Sequence, residues 1–132
     1  MDLIECIVKD VNIINDTHGK PVHTLLTSDM QVEFAQEEER AIVSLEATVY
    51  DAETTGDALT IGATMAGLFA CPVPTDKDTA YDIYCEALRH LLPHMNATFA
   101  TLCKMLRIPE ITIPEAQIDK DQFECRLADI QN

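Results

Sequence analysis

The apolar period of this chain changes once, at Pro72-Val73-Pro74, from every second residue to every third and fourth. A period of two buries a single face only in a strand, and a period near 3.6 only in a helix. The chain must therefore place a run of strands before a long helix and pack one against the other, which predicts an α+β fold.

Within the strand half, Ala41, Val43, Leu45, Ala47 and Val49 alternate with Ser44, Glu46 and Thr48. Leu59, Ile61, Ala63, Met65, Gly67 and Phe69 repeat the pattern against Thr60, Gly62 and Thr64. The link between them carries Thr54-Thr55-Gly56-Asp57, which is turn chemistry, so these two segments form an antiparallel hairpin. Met30, Val32 and Phe34 make a shorter strand that joins the next through the polar run Gln36 to Arg40, a second hairpin. The first strand, Leu3 to Ile14, changes phase: Ile4, Cys6 and Val8 share one face, and Val11 and Ile13 share the other. A bulge near Lys9-Asp10, or burial on both faces, accounts for the slip. The connection Asn15 to Thr27 holds His18, Gly19, Pro21 and His23 and is long for a simple hairpin, a length typical of functional or mobile loops.

Beyond the prolines, Tyr81, Tyr84, Cys85, Leu88, Leu92, Met95, Phe99, Leu102, Cys103 and Leu106 form one apolar stripe, with Asp76 and Asp78 as capping acids at its start. Pro93 lies inside the stripe and predicts a bent helix or two helices end to end. Ile108-Pro109 ends it, Ile111, Ile113, Pro114 and Ile118 continue as an extended apolar segment, and Asp119 with Gln122 leads into a short last helix through Phe123, Leu127 and Ile130.

Composition narrows the partners. The 132 residues suit one domain, 1–132, large enough to bury a core, and 23 acidic against 9 basic side chains leave a net charge of −14. Such a surface repels phosphate backbones and anionic lipid, so neither nucleic acid nor membrane is an expected partner. No run of about 18 apolar residues and no basic leader is present, and the five cysteines are scattered without a CxxC pair, which predicts reduced thiols and a cytoplasmic location.

Site chemistry is sparse. His90 and His94 stand four apart, the spacing at which two imidazoles share a zinc ion, with Cys71, Cys85 or Cys103 as the conceivable third ligand. Pro93 between them disturbs that geometry, and no adjacent Glu completes a hydrolytic motif, so no metal, cofactor or catalytic residue is expected. Glu37-Glu38-Glu39 reads as a solvated turn, and Asn96-Ala97-Thr98 is a glycosylation pattern set in mid-helix. Met30, Met65, Met95 and Met105 are either core filler or an adaptable peptide-binding surface.

Four antiparallel strands with Ile7-Val8-Lys9-Asp10-Val11 in the first and Ala66-Gly67-Leu68-Phe69 ending the fourth, then Leu92-Pro93 in the helix, then Ile108-Pro109-Glu110-Ile111-Thr112-Ile113-Pro114 and Ile118-Asp119, resemble the SecB-type export chaperones. The resemblance spans nearly the whole chain and rests on order and spacing. It implies a four-stranded antiparallel sheet with a long kinked or split helix and a short C-terminal helix on one face, assembled as a dimer or tetramer. It further implies a non-catalytic holdase that takes unfolded or extended polypeptide into an apolar groove near Phe69, Leu92, Pro93 and Ile111. Asp10 matches one acid through which that family docks the translocation motor, whereas its companions fall near Ile14 and Gly62. The family pattern also breaks after Pro93, where His94-Met95-Asn96 replaces its Tyr-Ala-Arg. A dedicated chaperone or adaptor for one partner, such as an antitoxin, or a protein of this fold with no export role, is the alternative.

Overall fold

In the computed structural model, which describes residues 2–35 and 38–114, four long strands precede one helix: β1 (Asp2–Asn15), β2 (Thr24–Ala35), β3 (Arg40–Asp51), β4 (Leu59–Ala70) and α1 (Lys77–Leu106). The strands form one antiparallel sheet in the order β1-β4-β3-β2. The expected short C-terminal helix lies outside the described residues.

The period-two patterns set which face is inner. Ala41, Val43, Leu45, Ala47 and Val49 pair with Phe69, Gly67, Met65, Ala63 and Ile61, and all ten are buried beneath α1. β1 sits beside β4, and its register slips between Val8 and Asp10, so Lys9 is the extra residue of a bulge; a second slip leaves Ile4 between Leu3 and Glu5. The bulge explains the phase change along the first strand. β2 begins at Thr24, earlier than its alternation suggested, because Leu25 to Asp29 pair with Tyr50 to Glu46 without a one-sided apolar pattern. That shortens the connection to residues 16–23, which must cross the ends of β4 and β3 to reach the far edge. Asp16 N–H donates to the Ala58 carbonyl and Ala52 N–H to the His23 carbonyl, and these two bonds pin the crossing to the tip of the β3–β4 hairpin.

That tip is built around the Asp51 side chain, which is wholly buried. The Thr54 hydroxyl donates to it at 2.6 Å, and so do the N–H groups of Thr54, Gly56, Ala58 and Leu59 at 2.7, 3.1, 3.2 and 3.0 Å. One carboxylate thus satisfies a turn whose backbone cannot pair with a strand. Gly56 has φ +98° and sits where an added Cβ would lie 2.7 Å from Thr60 Oγ1, so glycine is required there.

α1 starts on Asp76, whose side chain accepts from Thr79 N–H at 2.7 Å, and ends on Arg107 at φ 58°, with Ile108 N–H closing back on the Cys103 carbonyl. Pro93 does not split it. The proline occupies an exposed position, where a missing N–H costs least, and the helix runs through it. The apolar stripe is buried as expected from Tyr84 to Cys103 except at half-buried Leu102, and Ala80, Ile83, Ala87 and Leu91 widen it. Where α1 crosses β4, a Cβ on Gly67 would lie 2.7 Å from Leu91 Cδ2 and 2.9 Å from Phe69 Cε2. Helix and sheet therefore touch through bare backbone. After α1 the chain turns back and is held by Asn96, whose Oδ1 accepts from Ile113 N–H at 2.7 Å and whose Nδ2 donates to the Ile113 carbonyl at 3.1 Å.

Two consequences can be measured. Gly67→Ala, although alanine suits a strand better, destabilises the fold by about 1–3 kcal/mol in urea denaturation because Leu91 and Phe69 must move. The Thr54 hydroxyl above all, and then the backbone donors of the turn, hold the Asp51 carboxyl well below its ordinary value of 3.8, against the opposing effect of burial. The folded state thus keeps this carboxylate ionised where the unfolded chain protonates it. Its contribution is complete above about pH 5 and is lost as pH falls through 3.8 and below. A urea series from about pH 2 to 6 will show a shallower acid loss in Asp51→Asn than in the parent, from a lower plateau; equal slopes would refute the assignment.

Candidate functional site

α1 runs over β4 and the neighbouring parts of β1 and β3, but it is narrower than four strands. Both sheet edges consequently retain apolar surface, and three surfaces result.

The first lies along β2. Leu26, Met30, Val32 and Phe34 share the inner face through their pairing with Val49, Leu45, Val43 and Ala41. Leu26 is 38% exposed and the other three are half-buried. Tyr81 and Tyr84, stacked with centroids 5.8 Å apart, close one side of this strip with Met30 and Val32 against them. The outer edge of β2 has no further strand among the described residues. Acids stand on both elements that border the strip: Asp29 and Glu33 on β2, and Asp78 and Asp82 on α1, all exposed.

The second follows β1, where Val8, Val11 and Ile13 on the inner face and Ile7 and Ile14 on the outer are each between 39% and 50% exposed. A groove of about 300 Å³ separates this strand from α1, lined by Cys6, Val8, Met65, His94, Ala97 and Thr101 among others. The third is the outer face of the sheet, uncovered among the described residues. A depression of about 140 Å³ lies there over Gly62, flanked by Asp10, Glu46, Thr48 and Thr64.

The residues singled out from the sequence do not converge on one surface. Phe69 is wholly buried with the His90 ring 5.9 Å away, and Leu92 is buried beside the same core. Pro93 is exposed on the back of α1, and Ile111 is half-buried against the core beyond the helix. Asp10 is exposed on the outer face, opposite Thr64. His90 and His94 separate, one toward Phe69 and the other into the β1 groove, and among the described residues no three His, Cys, Asp or Glu side chains are placed to hold a metal ion. Cys6, Cys71, Cys85 and Cys103 are free thiols, and burial pushes those of Cys6 and Cys71 upward, away from reactivity. Met65 and Met95 are core, Met30 lines the β2 strip and Met105 is 73% exposed.

Two positions had no reading from sequence that matches their place here. Leu91 lies beside the apolar stripe that the spacing predicts, yet its Cδ2 fills the space that a Cβ on Gly67 would need; the bare Gly67 opposite an apolar helix face was the available signal. Asn96 was legible only as part of a glycosylation pattern, whereas its amide forms two strand-like bonds to Ile113, which nothing local announces.

No family model matches this chain, and no curated protein is similar to it in sequence. Among solved structures, the SecB-like chaperone Rv1957 of Mycobacterium tuberculosis, in complex with a ChAD peptide from the Rv1956 HigA1 antitoxin, superposes with a TM-score of 0.66 at 17% identity, covering 88% of this chain and 87% of that one. A protein of unknown function from Streptococcus agalactiae aligns at a TM-score of 0.47 and 14% identity over 86% and 98% of the two chains, and carries no argument. The order β1-β4-β3-β2 beneath one long helix is a SecB-like fold.

Proposed function

We propose that this protein is a non-catalytic binder of extended, apolar polypeptide segments, which it takes along the inner face and free edge of β2. The observation that carries this reading is the strip Leu26-Met30-Val32-Phe34, left partly exposed beside a stacked tyrosine pair because α1 covers β2 only in part. A bound segment would add backbone pairing at the edge and bury alternate side chains on the strip, at about 25 cal/mol per Å² of apolar area removed from water. Asp78 and Asp82 on α1, and Asp29 and Glu33 on the outer face of the same edge strand, within a chain of net charge −14, favour segments that also carry Lys or Arg and repel acidic ones. The flexible thioether of Met30 suits side chains of varied shape. No step in this activity needs a nucleophile, a proton donor or a cofactor.

The SecB-like neighbour of known structure was solved with a peptide from an antitoxin, and this supports a second reading in which the chain serves one dedicated partner. The two differ in breadth. A general holdase delays aggregation of several unrelated denatured proteins, whereas a dedicated binder protects only its own partner. An export role through Asp10 has no support beyond that single acid on the outer face.

Anisotropy of a labelled, basic and apolar extended peptide tests the surface itself. Leu26→Glu and Met30→Glu each bring a carboxylate into the strip and will raise Kd at least about tenfold, the loss expected for one buried side chain of about 1.5–3 kcal/mol. Unchanged binding in both folded variants would place the site elsewhere.

A further inference from the structure

α1 crosses the sheet on a diagonal. Its first half lies on β2, where Tyr81 and Tyr84 meet Met30 and Val32, and its second half lies beside β1, where His94, Ala97, Thr98 and Thr101 line a groove with Cys6, Ile7 and Val8. The helix thus moves away from β2 and β3 as it nears the hairpin tip. Ala47 and Val49 of β3 are nevertheless buried at that end, 0% and 2% exposed. Part of their cover is the segment that follows the helix, since Ile113 is buried in the same core cluster and Ile108 and Ile111 pack against it.

Asn96 shows on which side this segment runs. It stands about five helical turns from Asp78, which borders the β2 strip, and about half a turn round the helix from Thr98 in the β1 groove. Residues 108–114 therefore return along the β2 side of α1, at the end of the strip marked by Leu26, the partner of Val49. They are themselves an extended apolar polypeptide. Ile108, Ile111 and Ile113 pack on the core, Pro109 and Pro114 have no N–H to donate, and the segment belongs to no strand. Among the described residues its backbone is held at two points, by Ile108 N–H on the Cys103 carbonyl and by the Asn96 amide on both polar groups of Ile113.

We infer that residues 108–114 are an internal strap, latched by Asn96, which a bound segment must displace to reach the Leu26 end of the strip. This rests on the β2 reading and adds its regulation. The strap has the chemistry that the strip is proposed to receive, and it lies in the same path. Held by so few backbone bonds, it opens locally while the sheet and α1 stay folded. Apparent affinity is then the intrinsic affinity multiplied by the fraction of molecules whose strap is open.

The labelled basic, apolar extended peptide is the probe. In the parent chain, hydrogen exchange at the Ile113 amide is slow without peptide and accelerates when peptide binds. Asn96→Ala removes both latch bonds and lowers the peptide Kd by about three- to tenfold. Ile111→Ser weakens the strap's own apolar contact, leaves Asn96 in place and acts in the same direction. Peptide binding that leaves Ile113 exchange slow, with Kd unchanged in both variants, overturns the strap and leaves the β2 reading standing. A peptide that binds neither the parent nor either folded variant overturns both. Binding by the variants alone upholds the strap as a complete block. If neither variant folds, the exchange measurement on the parent chain decides.

Discussion

The approach of Leu91 to the bare backbone of Gly67 governs the rest of the molecule. At a position where any Cβ would lie 2.7 Å from the leucine methyl, only glycine lets the helix settle onto β4. That depth allows Phe69, Met95 and Phe99 to be sealed between the layers, and it centres α1 on β4 rather than on β2. One 30-residue helix, about 10 Å wide with its side chains, cannot cover four strands that lie nearly 5 Å apart. The uncovered margins are thus a geometrical result of where the helix is anchored.

The two margins differ in chemistry. β2 offers apolar side chains on its inner face and acids on its outer one, a surface able to bury an extended segment and to discriminate by charge. β1 carries exposed apolar side chains on both faces and the chain's bulge at its middle. At the far end of the sheet, Asp51 satisfies the hairpin tip with one side chain, and the 16–23 crossing is fastened to that tip by two backbone bonds. A rigid tip holds the crossing in place, and the crossing delivers β2 to the edge where it is available.

Much of this was legible from residue patterns. The alternation in β3 and β4, the turn at Thr54-Thr55-Gly56-Asp57, the capping Asp76 and the phase slip at Lys9 are local facts about which side chains face the same way, and each has its counterpart in the structure. The start of β2 was not legible, because an edge strand half in water needs no apolar alternation at Leu25 to Ser28. Nor was Asn96, whose partner Ile113 is brought alongside only by the reversal of the chain after Arg107.

The sequence by itself determined the strands, the helix and their one-sided faces, since a periodicity of two or 3.6 is a property of neighbouring residues and survives in any fold that buries them. Only the tertiary structure decided which strands became edges, that Pro93 would be tolerated on the exposed back of a continuous helix, and that Phe69 and Leu92 would be core while Leu26 and Met30 line the surface. Those outcomes depend on how far one layer extends over another. No local pattern encodes that distance, which is set here where α1 meets Gly67.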